Sequence, residues 1–275
     1  MRTVLTALLV SAIAMAGMEE SARAATISVR SSTLEMRGTI DAGDAEAFER
    51  ALTDDIQLVQ VRSPGGLLLE AMKIGKTLKA KQLKVEIVGL CASACAQLIL
   101  PGAHLLKIKD GSVIAMHAAA EGAFLSAQRE GGLLNLPNAA RQVLLGTLGP
   151  LRDEMTAYFD ATGVNRNAMN FMYLLTSTSQ VEVAYKEESA GNFAFQLQGQ
   201  RDPLCRAWLL DAESLASFGV KADRWESAGR LWASFVLGEK YDQIYDGPVR
   251  QESELGAVKD CAALRRLPRL HAAAQ

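Results

Sequence analysis

Gly89-Leu-Cys-Ala-Ser-Ala-Cys-Ala-Gln-Leu-Ile-Leu-Pro-Gly102, followed by a short polar run and then Ser112-Val-Ile-Ala-Met-His117, is the stretch on which the reading of this chain turns. It predicts a buried strand ending in a small-residue turn at Ser93, a helix starting just after, and a second apolar strand that delivers His117. A serine between two alanines, where strand gives way to helix, has its hydroxyl exposed beside free helix N-terminal N–H groups. Those groups carry partial positive charge and can hold an oxyanion. A histidine at the end of a nearby strand is the base such a serine needs. Upstream, Val59-Gln-Val-Arg-Ser-Pro-Gly-Gly66 reads as another strand closed by a glycine turn that offers a second N–H. Each piece has an ordinary reading alone: Ser93 as an N-cap, His117 as a structural histidine, Ser-Pro-Gly-Gly as a turn. Their order in one chain favours a site.

Working outward, residues 26–29 and 33–38 alternate in the manner of strands, with Ser31-Ser32 as the turn between them. Asp41 or Asp44 caps a helix running to about Leu52. Residues 56–61 form a strand, residues 67–80 a helix with Leu68, Met72, Ile74, Gly75 and Leu78 on its inner side, and residues 83–88 the strand leading into the Ser93 turn. From 33 to 117 strands and helices thus alternate, which favours an α/β fold with a mostly parallel sheet and crossover helices. In such sheets sites gather at the carboxyl ends of strands, where Gly65-Gly66, Ser93 and His117 all fall.

With 275 residues and 49% hydrophobic content the chain can bury a full core. Its formal net charge of −2 gives no reason to expect nucleic acid or an anionic membrane as partner. Arg2, an uncharged apolar run from Val4 to Met18, and the small-residue site Ala22-Arg23-Ala24 before Ala25 form a secretory signal peptide pattern. The expectation is a signal peptide over 1–24 and a mature periplasmic or secreted chain from Ala25. The alternative is an uncleaved anchor, for which the run is short.

Export permits disulfides, and the chain has four cysteines, Cys91, Cys95, Cys205 and Cys261. Three pairings are open. A local Cys91–Cys95 bridge would pin the Ser93 turn, and Cys205–Cys261 would tie the tail to the body; otherwise Cys91 and Cys95 are small buried hydrophobes. No metal site is expected, because the sulfurs lack two close C-x2-C pairs and the nearest histidine is His104.

Ser63-Pro64-Gly65-Gly66, Ser93 at the head of a helix and His117 after the next strand resemble the Clp protease proteolytic-subunit branch of the ClpP/crotonase superfamily, above all its exported members with a Cys-Ala-Ser-Ala-Cys turn. The likeness is well ordered from about Leu34 to His117. It resumes more loosely over Trp208-Leu209-Leu210-Asp211 to Gly219-Val220. It implies a spiral of strand–strand–helix units over residues 25–222, a helical C-terminal half, and a serine peptidase site. By resemblance Ser93 is the nucleophile, His117 the general base, and Gly66 and Ala94 the donors of the oxyanion hole. Self-association into a homo-oligomer is compatible with it.

One position departs from the pattern. Ala207, between Arg206 and Trp208, stands where the family's orienting aspartate sits. Asp211 is the first candidate to substitute, with Asp202, Asp160 and Asp153 as alternatives. Lys107 and Lys109, in a polar connector, are not chosen as base. Two functions remain: an exported serine-type peptidase acting on peptide or protein substrates without an ATPase or cofactor, or a catalytically weak or inactive scaffold or binding protein. An acyl-CoA enzyme is disfavoured because coenzyme A is not available outside the cytosol, and a thiol oxidoreductase because C-x-x-x-C lacks the C-x-x-C geometry.

Beyond His117 the pattern predicts helices over 139–148 and 151–162 broken at Gly149-Pro150, a helix over 165–175 and a strand over 193–197. Phe159, Phe171, Met172 and Tyr173 read as core. Residues 223–275 read as an extension in which Trp225, Leu231, Trp232, Phe235 and Tyr241 form a docking surface.

Overall fold

Strand β1 (Thr26–Arg30) turns back through Ser31-Ser32 into β2 (Thr33–Arg37), and helix α1 (Asp44–Ala51) leads to β3 (Leu58–Ser63). Helix α2 (Leu68–Ala80) crosses to β4 (Lys84–Ala92), in which Val85, Glu86 and Ile87 are buried in succession and Cys91 and Ala92 are buried at the carboxyl end. The structure, a computed structural model, describes residues 24–267 except 119, 190, 191 and 224. The expected signal segment, apart from Ala24, lies outside the described residues.

After β4 the chain makes a tight helical passage, a π turn over Cys95–Ile99 and a 3-10 turn over Leu100–Gly102. Strands β5 (Leu105–Ile108) and β6 (Val113–Met116) follow. The polar connector expected here contains β5: Leu106 and Ile108 point into the core while Lys107 reaches Glu86, so a short alternating strand was hidden behind its lysines. Helices α3 (Ala120–Arg129), α4 (Asn138–Thr162) and α5 (Arg166–Thr176) come next. A long hairpin, β7 (Ser179–Ser189) and β8 (Asn192–Arg201), separates them from β9 (Ala207–Leu209) and α6 (Ala212–Ser217). Helix α7 (Arg230–Leu237), β10 (Ile244–Tyr245), α8 (Glu252–Gly256) and α9 (Cys261–Arg266) end the described chain.

Among the described residues one eight-stranded sheet carries the fold, in the order β1-β2-β3-β4-β6-β9-β10, with β5 beside the first half of β4. Pairings from β2 to β6 are parallel, while β1 and β9 each run antiparallel to a neighbour. Strand β6 is buried on both faces. Ile114 and Met116 join the main core with Met72, Leu98 and Phe171, while Val113 and Ala115 face Ala228 and Ala233 at the other side. Residues beyond 222 share both cores: Trp225 and Leu264 lie in the first, Ala233 and Ile244 in the second. Phe159, Phe171, Met172 and Tyr173 are buried, whereas Leu231, Trp232 and Phe235 on α7 stay exposed.

The expected break at Gly149-Pro150 does not occur. Helix α4 runs through Pro150, although a proline inside a helix costs about 3 kcal/mol. Both halves are anchored, Leu144 and Leu148 under the hairpin and Met155, Tyr158 and Phe159 in the main core, and this packing outweighs one lost hydrogen bond.

Both disulfides form, Cys91–Cys95 and Cys205–Cys261. The second closes a loop with a sequence separation of 56 and joins β9's approach to α9. Replacing Cys205 and Cys261 together by alanine should lower stability by about 4 kcal/mol in the chain-entropy account. Denaturant unfolding measures this, and an unchanged midpoint would refute it.

Candidate active site

Ser93 sits immediately past β4 with φ of +53°, a left-handed backbone that a non-glycine residue adopts only when its surroundings enforce it. Three contacts do so. Its N–H donates to Ala115 O on β6 (3.0 Å), its carbonyl accepts from Gln97 N (2.9 Å), and the Cys91–Cys95 bridge spans the turn with Cα atoms 5.3 Å apart. The residue is 8% exposed. A strained strand-to-helix turn of this kind presents a serine hydroxyl at the end of a sheet.

The Ser-Pro-Gly-Gly turn packs directly against it. A Cβ on Gly65 would lie 2.7 Å from Ser93 Cβ and 2.9 Å from Ala94 N. Gly66, at φ of +142°, is clamped by Ile40: Ile40 N donates to Gly65 O (2.8 Å) and Leu67 N to Ile40 O (2.9 Å). In this parallel bridge the N–H of Gly66 faces away from Ile40. Among the described residues neither that N–H nor the N–H of Ala94 meets a hydrogen-bond acceptor. A Cβ on Gly66 would stand 2.1 Å from Ile40 O, so Gly66→Ala must break the clamp. That substitution should cost about 2 kcal/mol or more. A variant unfolding at the wild-type midpoint would contradict this account of the turn.

His117 follows β6, beyond the end of the strand beside Ser93. The register Ala92↔Ala115 sets the carboxyl ends of β4 and β6 side by side. The ring Nδ1 lies 3.1 Å from Ala118 O. A carbonyl only accepts, so in this bond Nδ1 carries a proton, and in the neutral ring Nε2 is then the nitrogen with the lone pair. The loop is held from both sides: Gln97 Nε2 donates to His117 O (2.7 Å), and Ala118 N donates to Thr176 Oγ1 (2.7 Å), which donates to Met172 O (2.8 Å). Sequence reasoning missed Gln97 and Thr176. For Gln97 a signal existed, a lone polar residue one turn after Ser93 in an otherwise apolar run.

The candidate acids have other partners. Asp211 caps α6, accepting from Ser214 N (2.8 Å). Asp202 pairs with Arg206 (2.7 Å), Asp160 with Arg166, and Asp153 with Arg152 (2.8 Å). Among the described residues no carboxylate hydrogen-bonds the His117 ring. Strand β9 pairs with β6 through Ala115↔Leu209 and Met116↔Trp208. Carried one residue further, this register sets buried Ala207 across from His117. Lys107 and Lys109 face Glu86 at 3.6 and 3.7 Å.

An apolar cavity of about 370 Å³ opens between α2, α3, α4 and α5, lined by Leu68, Leu125, Met155, Phe159, Met169 and Tyr173 among others. Ser93 and His117 do not line it. Leu68 comes two residues after Gly66, and Tyr173 one helical turn before Thr176.

No family model and no curated protein matches the chain. Among solved structures it is similar to a serine-to-alanine mutant of the 1510-N membrane-bound stomatin-specific protease, at 23% identity over 31% of this chain and 45% of that one, with a TM-score of 0.26. A lysine-to-alanine mutant of the same protease in complex with a substrate peptide matches at 23% identity over 31% and 42%, also with a TM-score of 0.26. Methylmalonyl CoA decarboxylase matches at 8% identity over 38% of this chain and 51% of the other, with a TM-score of 0.28. The chain thus spans about half the length of these structures or less.

Proposed function

We propose that this protein is an exported, ATP-independent serine-type peptidase built on a ClpP/crotonase-like spiral, with a signal peptide over 1–24 and a mature chain starting at Ala25. The observation that carries the reading is the pair of unpartnered N–H groups, of Gly66 and Ala94, beside a serine held in a left-handed turn. In this reading Nε2 of His117 takes the proton of Ser93 Oγ as the oxygen attacks a peptide carbonyl. The Gly66 and Ala94 N–H groups receive the oxyanion. His117 then returns the proton to the leaving amine, and water repeats the sequence to free the acyl group from Ser93.

Ala118 O orients the ring in place of a carboxylate. A neutral carbonyl fixes the tautomer but stabilises the imidazolium less than a carboxylate does, so turnover is slow. The apolar cavity beside Leu68 and Tyr173 suits the side chains of a peptide substrate. Hydrolysis of an unfolded protein substrate without ATP, lost in Ser93→Ala, tests the proposal. Wild-type protein that leaves the substrate intact over a day would refute it.

The second reading, a non-catalytic scaffold, is favoured by one specific observation: the ring of His117 has a backbone carbonyl where a catalytic carboxylate would stand.

A further inference from the structure

Asp44, the first residue of α1, is 4% exposed. Its Oδ2 accepts from two backbone nitrogens, Asp41 N at 2.7 Å and Ala25 N at 3.0 Å. Among the described residues no lysine or arginine pairs with it. Its neighbour Glu70, also buried, is in a different position: it accepts from Ala45 N (2.9 Å) and has its cation, Lys73, at 2.8 Å. A buried carboxylate without a cation is costly. The nitrogen already against Asp44 belongs to the residue at which the small-residue pattern Ala22-Arg23-Ala24 places the cut.

We infer that hydrolysis of the Ala24–Ala25 bond converts the Ala25 nitrogen into an α-ammonium that forms an ion pair with buried Asp44 and locks the start of β1. The inference rests on the export reading of the N-terminus and is independent of the peptidase chemistry. Water supplies the step, catalysed by an endopeptidase of the export apparatus. Its hydroxyl completes the carboxyl of Ala24, which gives up its proton to solvent as a carboxylate, and its other hydrogen goes to the nitrogen of Ala25, which takes a further proton from solvent. A neutral amide donor to a carboxylate thereby becomes a charge-assisted pair, a shorter and stronger bond. In the uncut chain an isolated parallel bridge, Ala24↔Thr39, also holds the segment just before β1. The cut removes it and leaves β1 as a terminal edge strand paired to β2 alone, the kind of end that frays unless tied down. The ion pair supplies the tie.

The test compares two forms of the mature protein, one beginning at Ala25 and one with a single glycine ahead of it, each with Asp44 and with Asp44→Asn. The added residue moves the charge away from Asp44. It should lower the melting temperature by about 3–10 °C when Asp44 is present and hardly at all in Asp44→Asn. Equal shifts in both backgrounds would overturn the lock.

Should Asp44→Asn fail to fold, the reactivity of the Ala25 amine decides. In the folded protein starting at Ala25, acylation by an amine-reactive ester near pH 7 should be at least about tenfold slower than in the unfolded chain, because a paired ammonium is withheld from attack. Equal rates would overturn the inference. N-terminal sequencing of exported protein separates the two layers. A start at Ala25 without thermal coupling leaves processing standing and removes the lock, while a start elsewhere removes both.

Discussion

Replacing Ser93 with alanine should abolish peptide hydrolysis, and His117→Ala should lower it by about 10³-fold or more. A serine hydroxyl is a poor nucleophile unless its proton leaves as the new bond forms, and in the proposed mechanism Nε2 of His117, the ring nitrogen not bonded to Ala118 O, takes that proton. Neither side chain holds the turn together: the Ser93 backbone is fixed through Ala115 O, Gln97 N and the Cys91–Cys95 bridge, and the His117 loop through Gln97 and Thr176. Both variants should therefore unfold at close to the wild-type denaturant midpoint. Hydrolysis that survives Ser93→Ala would assign the activity to another centre.

Ala207→Asp should move activity in the opposite direction. Residues directly opposite in an antiparallel pair have Cβ atoms about 4.5–5.5 Å apart on the same face, so a carboxylate at 207 enters the reach of the His117 ring. It competes with Ala118 O for the Nδ1 proton and stabilises the imidazolium with a full negative charge. Losing an aspartate in this role costs about 10⁴-fold in a serine protease. Gaining one in a site not shaped for it should recover about 10- to 10³-fold in kcat/KM. Ala207→Asn, equal in size and uncharged, should give little of that gain. Because position 207 is buried, both variants should lose about 1–3 kcal/mol of stability. An aspartate variant that folds and is no faster than wild type would remove the argument that a missing carboxylate limits the rate.

The parts of the molecule legible in the sequence are those written in local patterns. The alternation of Val85 and Ile87 and the all-apolar run Val113–Met116 mark strands, and the turns at Gly65-Gly66 and Ser93 punctuate them, so the parallel core of the sheet follows. The Cys91–Cys95 bridge is legible because the two residues bracket a single turn. What escaped depends on tertiary context. Strand β5 hides behind Leu105 and Lys107, which face outward. The β7–β8 hairpin is masked by Glu182, Lys186 and Glu187, and only part of β8 shows in Phe193 to Leu197. Pro150 reads as a break until the packing on both sides of it is known. The partner of the His117 ring is a backbone carbonyl, and no residue type announces a carbonyl. Nor does an N-cap announce itself against a triad acid: Asp211 has the right chemistry for either role and is engaged by Ser214 N.

The most direct measurement of the central claim is mass spectrometry of the folded protein after hours with a fluorophosphonate, whose adduct resembles the tetrahedral intermediate of acyl transfer. The account predicts a single phosphonyl group on Ser93, absent in Ser93→Ala and strongly reduced in His117→Ala. Folded wild-type protein that remains unmodified, or that carries the group on another serine, would contradict it.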